Sequence, residues 1–205
     1  DEPTGEEKTL SEAFEFFKKF DGIKANVDIK ATEALEKVYP LAKEIGVENR
    51  IFYTGVNDEF VDAVRSKSPE VSYFLNVKVN AFKKNNEKYL QSLVEKVKKA
   101  GAIGINFKYT SASKKLVEVF HKNGLLVSIW TVNDEYNMYK ILSFGPDNIT
   151  TRHPDELSKI IGWFFWRNLS KLLTFCENLF IFISYQIGTV FKTVPTIPIG
   201  WKGAA

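Results

Sequence analysis

The stretch LLVSIWTVNDEYNMYKILSFGPDNITTR, residues 125–152, decides the fold. Residues 125–133 are apolar and β-branched, which is the composition of a strand with both faces covered. The strand run ends at Asn133 and a helical segment begins at Asp134. Residues 134–145 carry apolar side chains at helical spacing up to Gly145, and residues 147–152 return to strand character. Strand, helix and strand in about 28 residues describe one parallel βαβ unit.

The same alternation extends toward the N-terminus. Strands are expected at residues 23–29, 50–55, 71–77 and 103–109, and with 125–133 and 147–152 they make six. Helices are expected at 31–46, 57–68, 86–101, 111–124 and 134–145, with Gly46 and Gly101 as stops and Pro40 as an internal flaw. A first helix, residues 11–20, follows Ser11 as its expected N-cap and carries Phe14, Phe16, Phe17 and Phe20. Six such units suit a doubly wound sheet or most of a barrel. A complete eight-unit barrel, at about 25–30 residues per unit, needs more chain than precedes residue 160.

Bulk properties narrow the function only a little. Lysine and arginine number 28 against 25 aspartates and glutamates, too even a balance to argue for nucleic acid. The lone cysteine, Cys176, excludes an internal disulfide. No P-loop, dinucleotide glycine fingerprint or zinc spacing occurs. The polar start, DEPTGEEKTL, does not have the pattern of a signal or transit peptide, and a cytoplasmic or membrane-associated setting is favoured.

An α/β protein keeps its functional groups at the C-terminal ends of its strands. Those ends hold Asp28 and Lys30, Thr54 and Gly55, Asn76 and Lys78, Lys108 and Tyr109, Trp130 and Asn133, and Thr151 and Arg152. Asp28 and Lys30 stand two residues apart, so both point to one face of their strand. They form either a structural salt bridge or the start of a site in which Lys30, Lys108 and Arg152 with Trp130 receive an anionic substrate. Asp28 would then be free to hold a divalent cation. Gly55 and Gly145 are read as turn glycines.

NVDIK (26–30), GINFKY (104–109) and the 125–155 segment with its WTVND and NITTRHPD resemble the glycerophosphodiester phosphodiesterase family, as does the helix TLSEAFEFF (9–17) before NVDIK. The resemblance runs from about Thr9 to Ile160. It implies a TIM-type (β/α)8 barrel, here incomplete, and a calcium or magnesium cofactor. It further implies hydrolysis of a small glycerophosphodiester to glycerol phosphate and an alcohol, a lipid-metabolism activity. On this reading Asp28 matches a metal-binding carboxylate, which is glutamate in many relatives. Lys30 matches the catalytic, phosphate-facing lysine, and Trp130 the aromatic that packs on substrate; Lys108 and Arg152 are further substrate-binding candidates.

The departures are equally specific. The family's His-Arg-Gly, Glu-x-Asp and His-Asp motifs, which supply proton carriers and metal carboxylates, are absent. The two histidines are His121, on a helix and expected to be structural, and His153, inserted between Arg152 and Pro154. The expectation is a phosphate-binding half of a site with impaired catalysis, from a truncated, split or decayed copy. The alternative is a catalytically silent membrane-associated or scaffold protein on the same barrel.

Composition shifts near residue 160, so the expected division is a partial barrel over 1–160 and an apolar, aromatic helical tail over 161–205. Ile161, Phe165, Leu169, Leu172, Cys176, Leu179, Ile183 and Ile187 fall at helical spacing. Residues 172–191 between two lysines have the length of a bilayer span, although Glu177 disfavours mid-membrane burial. The segment 161–191 is expected to lie at a membrane surface, to cover an open barrel edge or form a homodimer seam, or to be a tail without function.

Overall fold

The computed structural model describes residues 9–167, with side chains through residue 163. Six strands form one parallel sheet in chain order: β1 (Ala25–Asp28), β2 (Ile51–Val56), β3 (Tyr73–Asn76), β4 (Gly104–Lys108), β5 (Leu126–Trp130) and β6 (Asn148–Ile149). Seven helices accompany it: α1 (Leu10–Lys18), α2 (Leu35–Ile45), α3 (Val61–Lys67), α4 (Glu87–Ala100), α5 (Lys114–Lys122), α6 (Glu135–Leu142) and α7 (Pro154–Arg167). Each crossover carries a helix, and sequential strand order is the topology of a barrel rather than of a doubly wound sheet, whose order reverses. The architecture is an incomplete TIM-type half-barrel.

The helices begin where side-chain oxygens satisfy their free N–H groups. Asn86, Ser113 and Asp134 accept from Tyr89 N, Leu116 N and Asn137 N at the starts of α4, α5 and α6. The first helix starts two residues before the expected position. Thr9, not Ser11, is its cap, and Thr9 with Glu12 completes a capping box that Ser11 lacks. Pro40 sits inside α2 without ending it. The last strand is also shorter than expected. Only Asn148 and Ile149 pair fully with β5, and Asn133 Oδ1 takes the Arg152 N–H that a strand partner would otherwise accept.

Strand alternation sorts the side chains onto two faces. Val27, Ile29, Tyr53, Tyr73, Leu75, Ile105, Phe107, Val127, Ile129 and Ile149 join Leu35, Val38, Leu90, Leu116 and Met138 of the helices in one continuous core. The two tyrosines bury their rings there and still place their hydroxyls, Tyr53 on Ser68 Oγ at 2.8 Å and Tyr73 on the Ala100 carbonyl. Phe52 and Phe74 are buried outside that core, on the opposite face, and meet edge to face with centroids 5.8 Å apart. Gly104 makes room for this second layer, since a Cβ there would collide with the Leu126 carbonyl and the Phe74 ring.

Candidate functional site

Above the two phenylalanines, the face turned away from the helices is polar. One rung reads Asn76, Asn106, Ser128 and Asn148 across β3 to β6, in register. Asn106 Nδ2 donates to Asn76 Oδ1 at 2.8 Å, and Asn148 Nδ2 donates to Ser128 Oγ at 2.7 Å. Thr54 Oγ1 donates to Asn26 Oδ1 at 2.8 Å and extends the layer to β1. Asn106 Oδ1 and Asn148 Oδ1 are buried without a hydrogen-bond partner. Such atoms are uncommon, because a buried unpaired carbonyl forfeits its hydration, so a polar partner belongs in this face.

Two residues further along the strands stand the charged groups. Asp28 ends β1, and Lys30 follows on the same face, with Lys30 Nζ 2.5 Å from Asp28 Oδ2. The expected same-side placement holds. Lys30 is 75% exposed and Asp28 24%. A pair that open contributes at most about 1 kcal/mol to stability, so the fold does not account for it. Gly55, read from the sequence as a turn glycine, instead lies in a strand bulge. It lies within β2, at φ +78° where the β2–β3 register shifts, and a Cβ there would collide with Asp28 Oδ1 and the Ile29 carbonyl. Its N–H donates to Asn76 Oδ1 at 3.2 Å. The bulge thus seats Asp28 against β2 backbone and links it to the amide row.

Lys108 and Trp130 are register partners on β4 and β5. Lys108 is exposed; Trp130 is half-buried, with Nε1 shielded from solvent and lacking a partner. Arg152 is exposed beyond β6, its backbone N–H held by Asn133 Oδ1 at 2.9 Å. All these residues share the C-terminal end of the sheet, and of them Asp28 and Lys30 form an ion pair while Lys108 and Trp130 are cross-strand neighbours. Among the described residues no hydrogen bond or ion pair connects the Asp28–Lys30 pair to Lys108, Trp130 or Arg152.

His121 and His153 occupy opposite ends of the sheet. His121, in the last turn of α5, meets Asp147 Oδ2 at 2.8 Å, and that same oxygen accepts the Val127 N–H at 2.7 Å. The hydrogen bond to Asp147 raises the His121 pKa above its ordinary 6.5, against the opposing effect of burial. This clamp sits where β5 begins, away from Lys30, which agrees with the structural role expected for His121. His153 is exposed at the mouth end, its N–H donating to Thr151 Oγ1 at 3.0 Å. A groove of about 230 Å³ beside Arg65, Val71 and Tyr73 also lies at the N-terminal end of the strands, remote from these groups.

A calcium or magnesium ion wants six or more oxygens. Among the described residues no group of three or more His, Cys, Asp or Glu side chains is placed to hold a metal, and the Asp28 carboxylate already holds the Lys30 ammonium. The described residues alone do not fit such an ion.

Asn106, Ser128 and Asn148 escaped the sequence reading, which looked only at strand ends. For Asn106 and Ser128 the signal was a single polar residue between apolar neighbours, Ile105-Asn106-Phe107 and Val127-Ser128-Ile129; Asn148 follows Asp147 and lacks it.

A parallel half-barrel of six strands in chain order, with charged side chains at its C-terminal end, belongs to the class of TIM-type barrels. The family is more specific. The model of the Glycerophosphoryl diester phosphodiesterase family matches residues 4–156, and the chain belongs to that family. YhdW of Bacillus subtilis, assigned to the glycerophosphodiester phosphodiesterases, is 34% identical over 55 residues, 27% of this chain and 23% of that protein. A Parabacteroides distasonis glycerophosphodiester phosphodiesterase superposes with TM-score 0.57 at 18% identity, covering 76% of this chain and 64% of its own. An Oleispira antarctica phosphodiesterase, solved with the product sn-glycerol-3-phosphate, gives 0.56 at 17% identity, covering 75% and 61%. At these identities the superpositions speak for the fold, and the chain spans under two thirds of these relatives' length.

Proposed function

We propose that this chain carries the phosphate-binding part of a glycerophosphodiester hydrolase, and that Lys30 is its central residue. The observation that carries the reading is the Asp28–Lys30 pair, 2.5 Å apart at the barrel mouth, too exposed to serve stability and held in place by the Gly55 bulge. The Lys30 ammonium would meet the non-bridging oxygens of a phosphodiester and offset charge that grows there in the transition state. Asp28 positions that ammonium and is the proposed carboxylate of any divalent-cation site. Lys108 and Arg152 add positive potential at the same end. The half-buried Trp130 ring supports the carbon portion of the substrate. The buried amide row beneath receives a polar group or water.

Hydrolysis adds water across the P–O bond, yielding glycerol phosphate and an alcohol, and it needs a group to take the water's proton and another to protonate the leaving oxygen. His153 is the candidate proton carrier this chain supplies, being exposed at the mouth end. A specific observation favours a second reading, a catalytically silent member that binds phosphodiesters without turnover: the described residues offer neither a three-ligand metal group nor a histidine bonded to the Asp28–Lys30 pair.

The deciding experiment is hydrolysis of glycerophosphocholine and glycerophosphoethanolamine by the full chain, with calcium, magnesium or chelator. The hydrolase reading expects turnover that falls by roughly 10²–10³-fold in Lys30→Ala, the range for losing one electrostatic donor, with His153→Ala as the next variant. No turnover with either metal leaves the silent reading, and binding of glycerol phosphate weakened by Lys30→Ala would then support it.

The division into a 1–160 barrel and a 161–205 tail is retained as a proposal. The proposed boundary falls within α7, and Leu157, Ile160 and Ile161 pack in the core. No helix among the described residues is long and apolar enough to cross a membrane. The apolar segment expected at a membrane surface or homodimer seam lies almost wholly outside the described residues; light scattering of the full chain tests the dimer, and vesicle sedimentation tests the surface.

A further inference from the structure

We propose that the connection between β3 and α4, residues 77–86, docks the protein on an anionic phospholipid surface, with Phe82 entering the interface and lysines facing the lipid phosphates. Phe82 is 101% exposed, which is unusual for a phenylalanine within a well-packed domain. It sits in the 3-10 turn Ala81–Lys83, directly after the strand that carries Asn76, and hence at the barrel mouth.

The exposure is built into the loop. Asn80 Oδ1 accepts the Phe82 N–H at 2.9 Å, and the Asn80 carbonyl accepts the Lys83 N–H at 3.0 Å. Tyr89 Oη accepts the Asn80 N–H at 2.9 Å. Ser111 Oγ and Ser113 Oγ, from the neighbouring β4–α5 connection, donate to the carbonyls of Val79 and Lys84 at 2.9 and 2.8 Å. Val79 is buried beneath the turn. Five hydrogen bonds thus hold the backbone of the turn in the form that leaves Phe82 exposed.

The charge around it selects the partner. Lys78, Lys83, Lys84 and Lys88 stand against Glu87 alone over residues 78–88, and Glu87 is bonded to Lys115. Among the described residues none of the four lysines makes an ion pair, although Lys83 Nζ lies 5.9 Å from the Tyr89 ring centroid. One exposed aromatic tip flanked in sequence by lysines matches the interface of an anionic bilayer, where the ring enters the headgroup boundary and the cations meet phosphates. A protein partner would ask for a contiguous patch of about 800 Å², with lysine depleted at its centre. Tyr136, also exposed, lies at the same end in the first turn of α6 and offers a second ring. This inference stands apart from turnover: a chain that hydrolyses nothing would still show it.

The test uses the full chain with Asn85→Cys in a Cys176→Ser background, carrying an environment-sensitive dye that reads this loop and not the C-terminal segment. Vesicles of phosphatidylcholine, with and without a third of phosphatidylserine, are titrated at low and high salt. The dye should shift to the blue only on the anionic vesicles. Phe82→Ala, and separately Lys83→Gln with Lys84→Gln, should each weaken the response by about tenfold, and salt should weaken it further. A silent dye, even if the chain sediments with the vesicles, would overturn the proposal. So would an equal response to neutral lipid, or one indifferent to Phe82→Ala.

Discussion

The two faces of one sheet make a direct comparison. Toward the helices the strands present Leu75, Ile105, Phe107, Val127 and Ile129, all fully buried and packed into one apolar core. Away from the helices the same strands present Asn76, Asn106, Ser128 and Asn148, as buried in part but joined by hydrogen bonds and left with unpaired carbonyls. Apolar burial at about 25 cal/mol per Å² stabilises the first face without directional demands. The second face must satisfy each polar atom individually, and native folds tolerate such demands mainly where a ligand or water completes them. Apolar packing therefore resides on the helix side and the candidate site on the other.

The largest effect should fall on the helix side. Leu75→Ala is expected to lower unfolding free energy by roughly 2–5 kcal/mol, the range for a fully buried leucine, as read by urea denaturation, with phosphate-analogue binding retained in the folded fraction. Gly55→Ala should come next, at about 3 kcal/mol, because the new Cβ meets both a left-handed backbone and the Asp28 carboxylate. Unlike Leu75→Ala, it should also weaken anion binding in the protein that remains folded. If binding survives Gly55→Ala, the link between the bulge and the site is wrong.

On the polar face, Asn106→Ala should lower stability by only about 1 kcal/mol, since it removes one hydrogen bond and also an unpaired buried carbonyl. A loss as large as that of Leu75→Ala would erase the contrast between the faces.

The smallest effect should come from the His121–Asp147 clamp. Its raised pKa means that the folded state binds the proton more tightly than the unfolded one. The contribution is complete below the ordinary value of 6.5 and fades as pH rises through the higher folded value. His121→Gln should therefore lower the melting temperature more at pH 5.5 than at pH 8.5. Equal losses at both pH values would show that the clamp acts without its proton.

Much of this was legible in the residues because the relevant signals are local. Strand alternation put Asp28 and Lys30 on one side, and helical periodicity with glycine stops marked α2 and α4 to within a residue or a turn. The first cap was misplaced because Thr9 and Ser11 are both good caps, and only the Glu12 carboxylate reaching back to Thr9 distinguishes them. Gly55 read as a turn because glycine serves turns and bulges alike; its role depends on the neighbouring strand that brings Asp28 against it.

Composition and periodicity by themselves determined the alternation of strands and helices and the charged residues at the strand ends, and short motifs such as NVDIK and WTVND carried the family resemblance, since each is a property of a short window. Tertiary structure alone decided that four polar residues from different strands form one largely buried row. It also decided that Gly55 seats Asp28, that Lys108 and Trp130 stand side by side, and that Phe82 faces outward from a fixed turn. Those arrangements depend on strand register and on contacts between segments 20 or more residues apart, where a slip of one residue would reverse every face.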